Sequence, residues 1–300
     1  MFIYNLHYFL QKCIFLFFIS RNLTLNLKTK IMKMSFKYLQ LSVILLIFSF
    51  TACQNQISNQ AEQKENSDFL VSGTAWFQQS AEAKAVYLQT YHLSKDILKK
   101  NIANSVTKKP KALIVDIDET VLNNSPYEVK CIANGTEYNS ETWNEWVMKA
   151  EAEALPGAVE FLTYANSLNV DVYYISNRRT SHLEATIKNL IAKGFPQADS
   201  VHVLLKDSVS TKEPRRMKVE ETHEIIMLFG DNLLDFSTAF EKRPADYGKA
   251  LIDEQVKLFG TKYIMLPNPM YGSWDDAILD WNKDSTLTNL QKRKAALKGY

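Results

Sequence analysis

Three carboxylic acids follow an apolar run in the segment ALIVDIDETVLNNSPY, residues 112–127. The apolar run predicts a buried strand, and Asp116, Asp118 and Glu119 come directly after it. Carboxylates this close together repel one another, and they are expensive to place at the end of a buried strand. A cation among them offsets the repulsion, and aspartates supply the hard oxygen ligands that suit Mg²⁺. The segment therefore predicts a magnesium site.

Other polar residues lie at the ends of further predicted strands. Ser176, Asn177 and Arg178 end or follow the strand VDVYYIS, and the segment GDNLLDF, residues 230–236, follows the strand EIIMLFG. Lys212 begins the helix that precedes this last strand. Ligands of open parallel sheets bind beyond the carboxyl ends of the strands, so these residues are predicted to converge on one edge.

This combination of residue types predicts phosphoryl transfer. Lys212, Ser176 and the first-turn amides of the following helices are groups that bind phosphate oxygens. A metal ion, a carboxylate nucleophile and a phosphate-binding site together indicate a reaction through an aspartyl-phosphate. Lys206 is a rival for the lysine role, but Lys212 is preferred because it stands at a helix start within STKEPRR.

The elements that must position these residues alternate along the chain. Helical spacing without Gly or Pro predicts a helix over residues 74–104. Strands are predicted at residues 112–116, 170–176, 201–205, 224–230 and 262–267. The alternation with helices predicts an α/β fold whose sheet is mostly parallel and covered on both faces.

The helix starts carry their own signals. Pro156 is predicted near the first position of one helix. Ser181 with Glu184, and Ser210 with Glu213, predict capping boxes for two more. A further helix is predicted around residues 246–259.

Length and charge narrow the class of protein. The 300 residues are 46% hydrophobic, which suits one sizeable α/β domain with a smaller appendage. The formal net charge of +2 argues against a nucleic acid polymer as partner. The long segment between two of the predicted elements, at about residues 125–156, is expected to form a small helical cap that carries Trp143 and Trp146, with Trp146 packed inside the cap.

The N-terminal region predicts export and a lipid anchor. Lysines and then an apolar run at residues 41–50 precede the small pair Thr51 and Ala52, which is followed by Cys53. This arrangement resembles the lipobox of bacterial lipoproteins, in which the cysteine is lipidated. We therefore expect an upstream segment and signal over residues 1–53, with translation starting at Met32 or Met34; a longer signal anchor is the alternative.

The composition of the remaining chain predicts two parts, a tether and a folded domain. The segment QNQISNQAEQKENSD after Cys53 is polar and lacks aromatic residues, so a flexible tether is predicted over residues 54–73. Residues 74–300 are expected to form the functional domain, and the membrane is expected to be contacted through the lipid anchor only.

Several motifs resemble those of a known family. DIDETVLNNSPY, ISNRR, STKEPRR and GDNLLDF look like the four motifs of the haloacid dehalogenase (HAD) superfamily. With WNEWV, LPGAVEF and IMLPNPMYGSW they resemble the class C acid phosphatases, the lipoprotein e (P4) family of outer-membrane 5′-nucleotidases. The resemblance covers about residue 74 to the C-terminus. It implies a Rossmann-like HAD core with a small cap and an outer-membrane, Mg²⁺-dependent acid phosphatase acting on nucleoside 5′-monophosphates.

The resemblance also implies roles for single residues. Asp116 would be the nucleophile, and Asp118 would protonate the leaving alkoxide, activate water and bind the metal through its backbone carbonyl. Ser176 would hold a phosphoryl oxygen, and Lys212 would neutralise the phosphoryl charge and position Asp116. Asp231 would complete the Mg²⁺ site.

Five further positions belong to this expectation. Asp235 would ligate the metal directly or through water. Asn177 and Arg178 are expected beside the substrate. Trp143 and Tyr271 would stack on a base or another aromatic leaving group, and packing inside the cap stays open as the alternative for Trp143. Two alternatives stay open on the same fold: a lipid-anchored phosphotransferase, in which only the acceptor differs, and a binding protein without catalysis.

Overall fold

A computed structural model of the chain describes residues 68–243 and 246–300, which belong to one compact unit. The predicted signal, Cys53 and residues 54–67 of the predicted tether lie outside the described residues. Residues 68–73, predicted as the end of the flexible tether, are helical instead. Within the described part of the chain, no helix combines the length and the apolar character that a membrane crossing requires.

Five parallel strands form the central sheet. They are β1 Lys111–Val115, β4 Val170–Arg179, β5 Val203–Lys206, β6 Glu224–Gly230 and β7 Tyr263–Met265. A separate antiparallel pair is formed by β2 Leu122–Asn123 and β3 Glu153–Ala154. The order of the large sheet is β5-β4-β1-β6-β7. The predicted α/β class with a mostly parallel sheet is confirmed.

Helices connect and cover these strands. They are α1 68–79, α2 Ala81–Asn104, α3 Ser125–Asn134, α4 Ser140–Lys149, α5 Ala158–Ser167, α6 Leu183–Ala192, α7 Glu213–Thr222, α8 Lys249–Glu254, α9 Ser273–Trp281 and α10 Asn289–Ala296. Short 3₁₀ turns occur at Thr180–His182, Leu233–Asp235 and Thr238–Phe240. The segment expected to form the cap thus contains α3 and α4, with β2 and β3 at its two ends.

Alternating side chains of β1 separate two hydrophobic clusters. Leu113 and Val115 pack with residues of α2, α5 and α6 on one face of the sheet. Ala112 and Ile114 pack with residues of α7 and of the segment after β6 on the other. Both faces of the strand are buried, which explains its uninterrupted apolar sequence.

Some local predictions were wrong. The helix predicted over residues 74–104 is divided at Ser80, whose extended backbone ends α1 and whose hydroxyl accepts from the Ala83 amide at 3.0 Å to cap α2. Pro156 lies before α5 rather than in its first turn, because Gly157 with φ +84° turns the chain there. The helix predicted around residues 246–259 is only α8.

The two predicted capping boxes are also absent. α6 follows a 3₁₀ turn with His182 at its N-cap, and α7 has Lys212 at its N-cap, neither with a side-chain cap. Tertiary contacts of these segments therefore decide the helix starts more strongly than the local Ser-x-x-Glu pattern does.

Candidate active site

The candidate site lies where the strand order reverses. β4 and β5 extend the sheet on one side of β1, and β6 and β7 extend it on the other. Asp116 directly follows β1, and its amide donates to the Phe229 carbonyl of β6 at 2.9 Å. Asp231 follows β6, and Asp235 ends the next 3₁₀ turn. The carboxyl ends of neighbouring strands thus bring together side chains from distant parts of the chain.

A buried lysine joins two of these carboxylates. Lys212 is 6% exposed, and its Nζ contacts Asp116 Oδ1 and lies 2.6 Å from Asp235 Oδ1. Burial alone would lower the pKa of Lys212, but the carboxylates of Asp116 and Asp235 raise it, so the ammonium stays charged. Lys206, the rival, ends β5 and is not among the residues that line the cavity described below.

Three carboxylates are arranged so that they can hold a cation. One oxygen each of Asp116, Asp231 and Asp235 lies within 4.8 Å of the others, and all three residues are buried. Asn268 Nδ2 donates to Asp231 Oδ2 at 2.8 Å, and Thr120 Oγ1 donates to Asp231 Oδ1 at 3.2 Å. These hydrogen bonds leave the carboxylate anchored, so the residues fit a hard divalent ion.

The electrostatics of the cluster point the same way. Burial raises the pKa of Asp116 well above its usual range, against the opposing effect of Lys212. Burial, reinforced by Asp235, raises the pKa of Asp231 to about 7. One buried ammonium does not neutralise three buried carboxylates, and a divalent cation would favour their ionised forms.

Gly230 leaves the room that Asp235 occupies. A Cβ at Gly230 would lie 2.3 Å from Asp235 Oδ2 and 2.4 Å from its Cβ. Gly230→Ala is therefore expected to displace Asp235 and to weaken the binding of a divalent cation by the three carboxylates about tenfold, the scale observed when a supporting group of a metal site is lost. Calorimetric titration with Mg²⁺ measures this. Gly299→Ala, where nothing lies within 4 Å, is the control, and unchanged Mg²⁺ affinity in Gly230→Ala would contradict the expectation.

Asp118 takes part in a different set of contacts. Arg178 donates to it from Nη2 at 2.7 Å and from Nε at 2.9 Å, and Asn124 Nδ2 donates to it at 2.8 Å. The Ser176 hydroxyl donates to its Oδ2 at 3.2 Å. Arg178, expected beside the substrate, is 3% exposed and has its guanidinium on Asp118. Asp118 is therefore positioned separately from the three-carboxylate cluster.

Two core tyrosines hold the loop that carries these carboxylates. From α2, the Tyr87 hydroxyl donates to the Glu119 carbonyl, and the Tyr91 hydroxyl donates to the Thr120 carbonyl at 2.8 Å. Both rings are 1% exposed. Glu119 has φ +56°, a conformation that non-glycine residues rarely adopt. The hydrophobic core thus fixes the backbone of the site directly.

One cavity of about 820 Å³ lies at this edge of the sheet. Every predicted site residue within the described part of the chain lines it: Asp116, Asp118, Trp143, Ser176, Asn177, Arg178, Lys212, Asp231, Asp235 and Tyr271. Their roles remain predictions, because position alone does not assign a chemical step.

The two predicted stacking rings are both half-buried in the cavity wall. Trp143 packs edge-on against Tyr127 at 5.1 Å between centroids, and the Arg178 guanidinium lies 5.9 Å from its ring centre. The Tyr271 hydroxyl donates to a carboxylate oxygen of Glu119. Trp146 packs against the hydrophobic core and donates to Asn124 Oδ1 at 2.9 Å, so its expected packing role agrees with its position.

Sequence reasoning missed three residues here. Arg215 donates to the Ser176 carbonyl at 2.5 Å and to Asn177 Oδ1 at 2.7 Å, and Arg216 donates to the Asp235 carbonyl at 2.8 Å. Both stand in STKEPRR, so the motif itself was the available signal. Glu128 of α3 also lines the cavity and is 7% exposed, which no local pattern indicates.

Comparison with known proteins places these features in a family. The model of HAD superfamily subfamily IIIB (acid phosphatase) matches residues 31–274. The class C acid phosphatase from Bacillus anthracis with tungstate bound is 42% identical, covers 79% of this chain and 99% of its own, and superposes with a TM-score of 0.74. A second structure of the Bacillus anthracis protein is 43% identical, over 78% of this chain and 99% of its own, with a TM-score of 0.73.

Curated plant proteins are more distant relatives. The stem 31 kDa glycoprotein of Glycine max is 27% identical over 164 residues, which are 53% of this chain and 58% of that protein. Acid phosphatase 1 of Solanum lycopersicum is 26% identical over 166 residues, 53% of this chain and 57% of that protein. The chain thus spans a little over half the length of these curated relatives.

Proposed function

The chain belongs to the acid phosphatases of HAD superfamily subfamily IIIB, and from this premise we propose that it hydrolyses phosphomonoesters through an aspartyl-phosphate on Asp116, with Mg²⁺ bound. The observation that carries the proposal is the buried contact of Lys212 with both Asp116 and Asp235, beside Asp231 and inside the cavity. Tungstate, an oxyanion of phosphate-like charge, is bound by the Bacillus anthracis relative.

Asp116 forms and then releases the bond to phosphorus, and Asp118 transfers the protons. A carboxylate oxygen of Asp116 bonds to phosphorus while the ester oxygen leaves, and Asp118 gives that oxygen a proton. Asp118 then takes a proton from water, whose oxygen attacks phosphorus and frees Asp116 and inorganic phosphate. The contacts of Asp118 with Arg178 and Ser176 support this role, since they orient the carboxyl group.

Lys212 and Ser176 bind the phosphoryl oxygens. The Lys212 ammonium keeps Asp116 in position and offsets phosphate charge. Asp116, Asp231 and Asp235, with the Asp118 backbone carbonyl, would hold Mg²⁺, which supplies positive charge against the phosphoryl oxygens when bound. Release of inorganic phosphate from a panel of nucleotides and sugar phosphates, with and without Mg²⁺, tests the proposal; no release from any member would overturn it.

We propose nucleoside 5′-monophosphates as substrates because two aromatic side chains in the cavity wall can stack on a base. Trp143 and Tyr271 line the same cavity as the phosphate-binding residues, and a base stacked on such a ring gains about 1–3 kcal/mol per contact. Trp143→Ala and Tyr271→Ala are each expected to raise KM for nucleotides about tenfold or more, and to leave a small aliphatic phosphate nearly unchanged. Steady-state kinetics on both substrate types measure this.

Trp281→Ala is the matched control for the ring variants, because Trp281 is 52% exposed and is not among the residues that line the cavity. Equal losses of kcat/KM on both substrate types would assign the rings to packing and would remove the support for a nucleotide substrate.

We also propose that the chain is anchored in the outer membrane through lipidated Cys53. The support is the placement of Cys53 after a small pair and an apolar run. Cys53→Ser is expected to leave the protein unprocessed or released from the membrane fraction. Mass spectrometry of the wild-type N-terminus is the direct measurement, and a mature N-terminus other than modified Cys53 would refute the anchor.

A further inference from the structure

Glu128 is a buried carboxylic acid that the proposed mechanism does not use. It lies in the first turn of α3, is 7% exposed and lines the cavity. In residues 68–243 and 246–300, no hydrogen bond or ion pair to its carboxyl group is found. Burying an ionisable group without a partner is unfavourable. An acid in the first turn of a helix is favoured by the helix dipole, but this does not require its side chain to line the cavity.

Desolvation has a clear effect on this group. Burial raises the pKa of Glu128 to about 7, and no neighbouring cation acts against it. The buried carboxylates of the metal cluster each have Lys212, Asn268 or Thr120 as partner. Glu128 differs from them because its carboxyl group has no such partner among the described residues. It lines the cavity, where a bound ligand can contact it.

The charges around the cavity limit what that ligand can be. Beyond the metal and phosphate residues, the lining includes Glu137, Glu241 and Asp276, and none of these forms an ion pair within the described ranges. Asp275 is the exception, because Arg293 donates to it at 2.7 and 2.8 Å. A carboxylate in a concave, largely desolvated wall attracts positive groups and N–H donors and repels anions, so these are the ligand groups that suit Glu128.

We propose that Glu128 is a specificity-determining residue that binds the leaving group of the substrate, and that it selects phosphomonoesters whose leaving group presents an N–H donor or an ammonium ion. This inference rests on the proposed function. It adds a polar contact to the stacking on Trp143 and Tyr271, which by itself does not distinguish one base from another. A leaving group that brings a second negative charge next to the Glu128 carboxylate is disfavoured by like-charge repulsion.

Two pairs of substrates distinguish recognition of an N–H donor from recognition of an ammonium ion. Adenosine 5′-monophosphate and purine riboside 5′-monophosphate differ in one amino group and test the N–H donor. 2-Aminoethyl phosphate and propyl phosphate differ in an ammonium ion and test the cation. The ratio of kcat/KM within each pair is measured above the Glu128 pKa of about 7. The wild-type ratio is expected to favour the amino member of at least one pair about tenfold, the scale of one charge-assisted hydrogen bond.

Glu128→Gln keeps the shape and removes the charge. It is expected to bring the ratio close to one while kcat/KM for the member without the amino group changes less than about twofold. Glu128→Ala is a second variant with the same expectation. Glu141→Gln is the matched control, since Glu141 stands in the first turn of α4 but is exposed and absent from the cavity wall. A role limited to helix stability would leave the ratio unchanged in every variant.

A binding measurement with the free leaving groups, which carry no phosphate, tests the proposal without depending on turnover. Calorimetry compares adenosine with purine riboside, and ethanolamine with propanol, on wild-type protein and on Glu128→Gln. If no phosphate is released from any substrate, the proposed function fails, and the binding ratios still decide on Glu128. If phosphate is released but both wild-type ratios are near one, or if Glu128→Gln lowers both members of a pair equally, the Glu128 assignment is overturned and the phosphatase proposal stands.

Discussion

Asp116→Asn is expected to lower kcat by at least about 10³-fold, the scale observed when a member of a catalytic unit is removed. The substitution keeps the shape of the side chain but removes the attacking oxygen. It also takes one negative charge from the cluster with Asp231 and Asp235. Steady-state release of phosphate by the purified variant measures the effect.

Folding must be separated from chemistry in this experiment. Lys212 keeps Asp235 as a partner in the variant, and the repulsion among buried carboxylates is reduced, so the melting temperature is not expected to fall. Asp96→Asn, a change at an exposed position on α2, is the control. Activity close to that of the wild type in a folded Asp116→Asn protein would rule out an aspartyl-phosphate on this residue.

Removal of divalent metal by a chelator is expected to abolish phosphate release, and added Mg²⁺ is expected to restore it. Lys212 alone does not balance the charge of Asp116, Asp231 and Asp235. A second measurement does not depend on activity. Mg²⁺ at about a hundred times its Kd should stabilise the fold by about 2.7 kcal/mol, which thermal denaturation detects as a higher Tm.

The variant Asp231→Asn tests whether the metal effect arises at the three-carboxylate cluster. It removes a carboxylate whose pKa is raised to about 7 by burial and by Asp235, and it should abolish the response of Tm to Mg²⁺. Asp253→Asn, an exposed position in α8, should respond as the wild type does. Full activity in chelator, together with a Tm that Mg²⁺ does not change, would mean that this cluster binds no metal.

The regular elements of the fold follow closely from the sequence. The strand predicted at residues 224–230 has those bounds in the structure, because an apolar run buried on both faces has a clear beginning and end. The start of α7 was harder to predict from the sequence. Ser210 and Glu213 form a plausible local cap, yet Lys212 takes the N-cap position while its side chain reaches Asp116 and Asp235.

The same distinction holds within the site. Motifs at strand ends predict that Asp116, Ser176 and Asp231 meet, because strand topology alone brings them to one edge. The pairing of Arg178 with Asp118 and the contact of Arg215 with Asn177 were not predicted. Such contacts depend on which rotamers of long side chains the packed neighbours allow, and this information is spread over several elements. Glu128 is a further case, since only the packed α3 shows that its carboxyl group is buried.

The position of β1 in the sheet has a consequence for how the protein folds. Its two neighbours are β4 and β6, both made later in the chain. The contact of Lys212 with Asp116 spans 96 residues, and that of Thr120 with Asp231 spans 111. Contacts between such distant residues form slowly, because long loops must close first. During synthesis the first aspartates therefore emerge from the ribosome long before their partners, and the site cannot assemble until Asp235 has been added.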